Sequence, residues 1–301
     1  MHRRQILAQI PWIISATKQM LKGRALKKRL KSFGLQLSTI TPILMKDFEG
    51  TLRTVAAIGY NSVEFSALGY INQEPTKVKD LLAELNLKAP IGRVSFKVPS
   101  DFMSMPREQQ MKVFGRQGTM DSIVERIDQA IGEAKIMGQK YLIIPAIMPH
   151  TFSDMTQIKS MISALKSAAQ KCQDEGIQLG YHNHNWEFNE VDGNIPYEIM
   201  LKELPPAMFT FQLDTYWIKK AGLDPTDMLE QYPNQFSSCH FKDIDADGQF
   251  EDVGYGNIDF PRFTKKAVKL GIQHFFVERD GPEKPMHAIR RSYEYLQQMK
   301  Y

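Results

Sequence analysis

From residue 33 to the C-terminus the chain repeats one unit, and that repetition narrows the fold more than any other feature. Short apolar runs at 33–37, 62–65, 87–96, 141–146, 177–181, 208–213, 236–241 and 272–277 read as strands. Longer segments at 47–59, 77–85, 123–134, 158–172, 195–201, 227–232, 260–270 and 287–299 carry apolar residues three and four apart. Ile123, Ile127, Ile131 and Ala134 are the clearest case, which is the spacing of an amphipathic helix. Regular strand–helix alternation predicts a parallel sheet covered by helices. Eight units in about 270 residues fit a closed α/β barrel, the (β/α)8 TIM barrel, better than an open doubly wound sheet. No Gly-x-Gly-x-x-Gly follows the first strand, which argues against a dinucleotide-binding fold. The polar connection 97–119, with Pro99 and Pro106, is long enough to read as a functional loop or lid.

The net charge of +4 is unevenly placed. Nine of the 38 Lys and Arg fall in residues 1–31 with no acid among them, so the remaining 29 face 34 acids and the body is net −5. That balance argues against a nucleic-acid footprint on the body. We therefore divide the chain into a basic N-terminal extension, 1–31, and one barrel domain, 32–301. Arg3-Arg4-Gln5-Ile6-Leu7 followed by the apolar stretch 10–16 resembles a twin-arginine leader, interrupted by Pro11 and Lys18. The expectation is either a degenerate leader for export to the periplasm or a basic amphipathic extension on a cytoplasmic protein. No run approaches the ~18 apolar residues of a spanning helix. Cys172 and Cys239 lack metal-type spacing and read as small buried hydrophobes.

Barrels of this kind build their sites at the C-terminal ends of the strands. His182, Asp214, His240 and Glu278 end strands five to eight, 32, 26 and 38 residues apart, one strand–helix step each. Four adjacent strand ends can meet at one point. Two imidazoles and two carboxylates suit a divalent ion such as Mn²⁺, Co²⁺, Zn²⁺ or Mg²⁺. His184 follows His182 by two, so on a continuing strand both rings face one cavity. Lys242 follows His240 by two and can neutralise a developing oxyanion or pair with a nearby acid such as Asp243. Glu64 can bond a ligand hydroxyl or close a barrel-mouth ion pair. Trp186 and Trp217 can stack on the apolar face of a ligand or pack. The 254–256 loop can close over a ligand, hold a phosphate on its amides, or be a plain turn. His150, His2, His274 and His287 read as residues outside the metal site.

Seven motifs occur in order: Gly34-Leu-Gln-Leu37, Gly59-Tyr-Asn-Ser-Val-Glu64, Tyr181-His-Asn-His-Asn-Trp-Glu-Phe188, Gln212-Leu-Asp-Thr-Tyr-Trp217, His240-Phe-Lys-Asp243, Val253-Gly-Tyr-Gly-Asn-Ile-Asp259 and Val277-Glu-Arg-Asp280. Together they resemble the sugar phosphate isomerase/epimerase family, the xylose isomerase-like TIM barrels, across residues 33–299. The resemblance implies a metal held by His182, Asp214, His240 and Glu278. It also marks two departures. His182 stands where keto-sugar epimerases of the superfamily carry a glutamate that is also one of their two proton-transferring carboxylates. Arg93, a candidate substrate contact, stands where relatives often have histidine.

These readings converge on a metal-dependent sugar or sugar phosphate isomerase or epimerase, working by proton transfer next to a carbonyl. Glu278 is the expected base, with Glu187 or His184 as second proton carrier. The rival is a lyase or dehydratase on a 3-keto-sugar or keto-inositol, which starts with the same proton abstraction. An apurinic endonuclease needs more metal ligands than these, and a non-catalytic sugar-binding barrel needs no metal. The expected partner is a small sugar, and a homo-oligomer is compatible with the fold.

Overall fold

The computed structural model describes residues 28–301. Eight parallel strands form the barrel: β1 (Gly34–Gln36), β2 (Ser62–Glu64), β3 (Ile91–Arg93), β4 (Tyr141–Ile144), β5 (Gln178–His182), β6 (Phe209–Asp214), β7 (Phe236–Phe241) and β10 (His274–Val277). Between β7 and β10 a short antiparallel hairpin adds β8 (Asp243–Ile244) and β9 (Phe250–Glu251). The sheet runs β2-β1-β10-β7-β6-β5-β4-β3. A parallel bridge between Ser62 and Lys88 links β2 to the approach to β3 and nearly closes the ring.

Outside the ring lie α1 (Thr41–Leu44), α2 (Phe48–Ile58), α3 (Pro75–Glu84), α4 (Arg107–Gln117), α5 (Met120–Met137), α6 (Met155–Asp174), α7 (Pro196–Glu203), α8 (Thr215–Lys220), α9 (Pro225–Gln231), α10 (Phe260–Lys269) and α11 (Pro285–Gln298). Local sequence sets their ends. The Asp47 carboxylate caps Gly50 N–H to start α2, and Gly59 ends it at φ 116°, a conformation that disfavours any Cβ. Of the long polar connection 97–119, most is helical: α4 occupies it, with Phe114 packed on Phe96 and Phe102. No helix among the described residues is long and apolar enough to cross a membrane.

Strand periodicity divides the barrel into two apolar environments. Leu179, Tyr181, Phe209, Phe211, Leu213, Cys239, Phe241, Phe275 and Val277 belong to the main core between sheet and helices. Ile91, Ile143 and Phe276 form a separate cluster inside the ring. Gly34 and Gly180 make room for that plug, since a Cβ on Gly34 would lie 2.6 Å from Phe276 and one on Gly180 2.7 Å from Ile143. Two residues further along each strand, the same inward alternation delivers Gln36, Glu64, Arg93, His182, Gln212, His240 and Glu278 to the mouth.

The leader motif Arg3-Arg4-Gln5-Ile6-Leu7, the stretch 10–16 and His2 lie outside the described residues. Of the basic extension only 28–31 is described. Lys28 exchanges two backbone hydrogen bonds with Tyr301, both 2.9 Å, and Leu30 packs on the core.

Candidate active site at the barrel mouth

His182, Asp214, His240 and Glu278 meet at the mouth, each buried, with one ligand-type atom from each lying within 4.8 Å of the others. Asp214 caps α8 with one oxygen, Oδ1, which accepts Trp217 N–H at 3.0 Å. Asn183 Oδ1 accepts the Asp214 N–H at 2.9 Å and fixes the strand end. The other oxygen, Oδ2, is buried without a hydrogen-bond partner. It lies 3.7 Å from His182 Nε2, 3.8 Å from His240 Nδ1 and 3.9 Å from Lys242 Nζ. A buried carboxylate oxygen with no donor is costly. Two imidazole nitrogens and a second carboxylate around it form a donor set suited to one divalent cation.

A second layer fixes which ring nitrogens face that point. His240 Nε2 sits 2.6 Å from Glu64 Oε2. Gln36 Nε2 and Arg93 Nη2 also donate to this oxygen, at 2.7 and 2.6 Å. The other oxygen of Glu64 accepts Gln212 Nε2 at 2.7 Å. The carbonyl oxygen of Gln212 is therefore turned to His182 Nδ1, at 3.1 Å. An ionised carboxylate only accepts. Glu64 thus holds the hydrogen on His240 Nε2 and, through Gln212, on His182 Nδ1. His240 Nδ1, 2.8 Å from Glu278 Oε2, and His182 Nε2 are left facing the carboxylates of Glu278 and Asp214, the arrangement in which outer partners orient metal-binding histidines.

The charges divide accordingly. Burial pushes the Asp214 carboxyl up to about 7, against the pull of Lys242. Glu278 is also raised by burial, but Lys242 and His240 outweigh that and hold it well below the usual carboxylate range. Burial alone would lower His240; Glu278 and Glu64 instead lift it to about 9. His182 is held well below the usual histidine value by burial and by His240 and stays neutral. Glu64 remains ionised because Arg93 and His240 overcome its burial. Lys242, buried among carboxylates, is held protonated by Asp280, Glu278 and Asp214 against its desolvation. Its Nζ lies 2.9 Å from Asp280 and 3.2 Å from Glu278. Ser38 Oγ donates to the other oxygen of Glu278 at 2.7 Å.

The remaining sequence candidates are distributed differently from the expectation. Glu64 and Arg93 bond each other, so the ion-pair alternative for Glu64 is the one observed, and one Arg93 nitrogen, Nη1, stays buried and unpartnered. Lys242 pairs with Asp280 and not with Asp243. Asp243 instead accepts the N–H groups of Ile244, Gly254, Gly256 and Ile258. That corrects the phosphate-cradle reading of the 254–256 loop, because its amides are already taken. Glu187 is fully buried, accepting the Tyr181 hydroxyl and the His184 N–H, the latter at 3.1 Å to both oxygens. It shapes the turn after β5. Strand alternation does not continue to His184, whose ring stacks on Trp186 at 4.2 Å and lies edge-on to His182 at 5.1 Å. Trp217 lies 5.4 Å from the His184 ring. Trp186 Nε1 donates to Ile147 O at 3.1 Å. Trp186, His184, Trp217 and Phe250 form an aromatic wall beside the cluster, with Lys242 Nζ 5.2 Å from the Trp217 ring and 5.1 Å from that of Phe250. His150 and His287 are exposed, and His274 begins β10 at the opposite end of its strand.

Sequence comparison places this architecture. The Xylose isomerase-like TIM barrel family matches residues 52–299. The chain belongs to that family. Its fold is shared with a sugar phosphate isomerase/epimerase from Parabacteroides distasonis, at 25% identity and a TM-score of 0.70, covering 91% of this chain and 95% of that one. A 3-keto-D-glucoside 4-epimerase from E. coli superimposes with a TM-score of 0.65 at 16% identity, covering 90% of this xylose isomerase-like barrel and all of its counterpart, a likeness of fold. An inosose dehydratase from Geobacillus kaustophilus is 22% identical over 281 residues, 83% of this chain and 84% of that protein.

Proposed function

We propose that this barrel is a metal-dependent enzyme that moves a proton on the carbon next to the carbonyl of a sugar-like ketone, returning it as an isomerase or epimerase does. The observation that carries the reading is the unpartnered Asp214 Oδ2 amid His182, His240 and Glu278. These four residues would hold a divalent ion, which when bound polarises a carbonyl and offsets the charge that builds up as the neighbouring carbon loses its proton. Glu278 is the base: ionised, buried within the mouth, and aimed by Ser38. Lys242, held protonated, donates hydrogen bonds to developing negative oxygen. Trp186 and Trp217 offer flat apolar surface to the substrate's C–H face. Glu64, Gln36, Gln212 and Arg93 act on the site through the two histidines.

A second reading, elimination of a β-oxygen substituent as a lyase or dehydratase, is favoured by one observation. Glu187, the carboxylate expected as second proton carrier, is held by Tyr181 and the His184 N–H. Only Glu278 is then placed to take a proton from one face, which suffices for elimination. Likeness to an inosose dehydratase supports the same reading. Incubation of the manganese-loaded protein with candidate keto-sugars and keto-inositols in deuterated water tests both. Deuterium at the α-carbon with all substituents retained supports isomerisation or epimerisation; release of water or an aglycone supports elimination. Neither exchange nor release across the panel rejects proton transfer.

A further inference from the structure

We infer that the substrate of this mouth is uncharged: a neutral keto-sugar or keto-polyol, not a phosphate ester. The inference rests on the proton-transfer reading above and narrows its substrate class. The charged groups around the cluster fall into sets that already balance. Glu64 and Arg93 form a buried pair at 2.6 Å. Lys242 has Asp280 at 2.9 Å, within reach of solvent because the Asp280 side chain is 40% exposed. Asp214 and Glu278 together match one divalent ion. With that ion bound, the inner site is neutral.

A phosphate monoester would bring a charge of about −1.5 to −2 into this site at neutral pH. Among the described residues neither cation at the mouth is free to receive it: Arg93 would have to give up buried Glu64, and Lys242, itself buried, is already matched by Glu278 and Asp280; an unpaired buried charge is strongly unfavourable. Backbone amides offer no substitute at the 254–256 loop, since Gly254, Gly256 and Ile258 N–H all point at Asp243. The groups the mouth does present suit hydroxyls and C–H faces. Arg93 Nη1 and Trp217 Nε1 are buried nitrogens without hydrogen-bond partners, polar groups that suit a hydroxyl or carbonyl oxygen, while His184 Nδ1 faces Glu187 Oε1 at 3.8 Å. The half-buried rings of Trp186, Trp217 and Phe250 supply stacking surface of the kind a neutral sugar uses. A neutral ketone leaves the balance intact until the reaction itself creates one negative charge beside the ion and Lys242.

The test is calorimetric titration of the full chain, saturated with Mn²⁺, using matched pairs: D-fructose and D-fructose 6-phosphate, D-allulose and D-allulose 6-phosphate, and an inosose with its monophosphate. Trp186→Ala is titrated alongside. The inference expects at least one neutral member to bind, its phosphate to bind at least 100-fold more weakly, and Trp186→Ala to weaken the neutral ligand several-fold while Mn²⁺ stoichiometry is unchanged. A phosphate that binds as well as or better than its neutral partner overturns the inference and leaves the proton-transfer reading standing. Absence of binding by both members of every pair, with Mn²⁺ in place, overturns both.

Discussion

Glu64→Gln removes a charge while nearly preserving shape, and the hydrogen bonds around that carboxylate determine its effect. All four partners of Glu64 donate to it: Gln36, Arg93 and His240 to one oxygen, Gln212 to the other. An amide supplies one acceptor and one NH2 group. If the NH2 replaces the oxygen facing Gln212, that residue must flip, presenting its own NH2 to His182 Nδ1. His182 then carries its hydrogen on Nε2, the nitrogen that faces Asp214. If the NH2 faces His240 instead, the hydrogen of His240 moves to Nδ1, again the cluster-facing atom. In either case one histidine loses the lone pair a cation needs. Loss of such outer partners weakens metal affinity about 10–100-fold, or about 1.4–2.7 kcal/mol. Arg93 is also left buried without its anion, a change that costs about 3–5 kcal/mol of stability. Competition with a chromophoric chelator measures the first effect and chemical denaturation the second. The double variant Arg93→Met/Glu64→Gln recovers stability without recovering metal affinity. Mn²⁺ affinity in Glu64→Gln within two-fold of wild type would refute the tautomer argument.

Metal affinity also depends on pH, because the metal-free site holds protons that a cation must displace. With Asp214 raised to about 7 and His240 to about 9, affinity climbs with pH, about tenfold per unit between 7 and 9 and more steeply below 7; a dissociation constant that stays flat from pH 6 to 9 contradicts this. His182→Ala removes a ligand and lowers Mn²⁺ affinity by two orders of magnitude or more while the fold persists, checked by equilibrium dialysis and circular dichroism. Glu187→Gln lowers the midpoint of thermal unfolding by disturbing the turn after β5, at a cost of about 1–3 kcal/mol; an unchanged midpoint with lost turnover would restore Glu187 as a proton carrier. Residues 1–31 are proposed to be a leader or a retained basic extension, and the mass of the mature protein from its native host distinguishes them.

The eight strand–helix units were legible because strand and helix periods are written in apolar spacing, and the 236–241 strand matches Phe236–Phe241 at both ends. Elements without such spacing were not legible. The polar helix α4 has only Val113 buried, and α8 is a six-residue helix started by the Asp214 cap. The two-residue strands β8 and β9 are too short to show a period. Four cluster residues were legible because each ends a strand one unit after the last. Gln36, Ser38, Gln212 and Asp280 were not, although Gln212 lies two residues before Asp214 on β6 and so shares its inward face. Arg93 stands out in the sequence but reads there as a substrate contact, and Glu64 reads as either a hydroxyl contact or an ion pair without its partner named, since a sequence does not show that β2, β3 and β7 bring Glu64, Arg93 and His240 together across a barrel. Glu187 reads as a proton carrier only if the strand continues, whereas the strand period ends at His182 and a tight turn comes next.

The central claim is one divalent ion held by His182, Asp214, His240 and Glu278. Electron paramagnetic resonance of the protein titrated with Mn²⁺, beside an Asp214→Asn/His240→Ala double variant, tests it directly. We expect one tight equivalent in the wild-type protein, lost in the double variant with the fold retained. No tight equivalent in wild type, or equal binding by both proteins, would contradict the account.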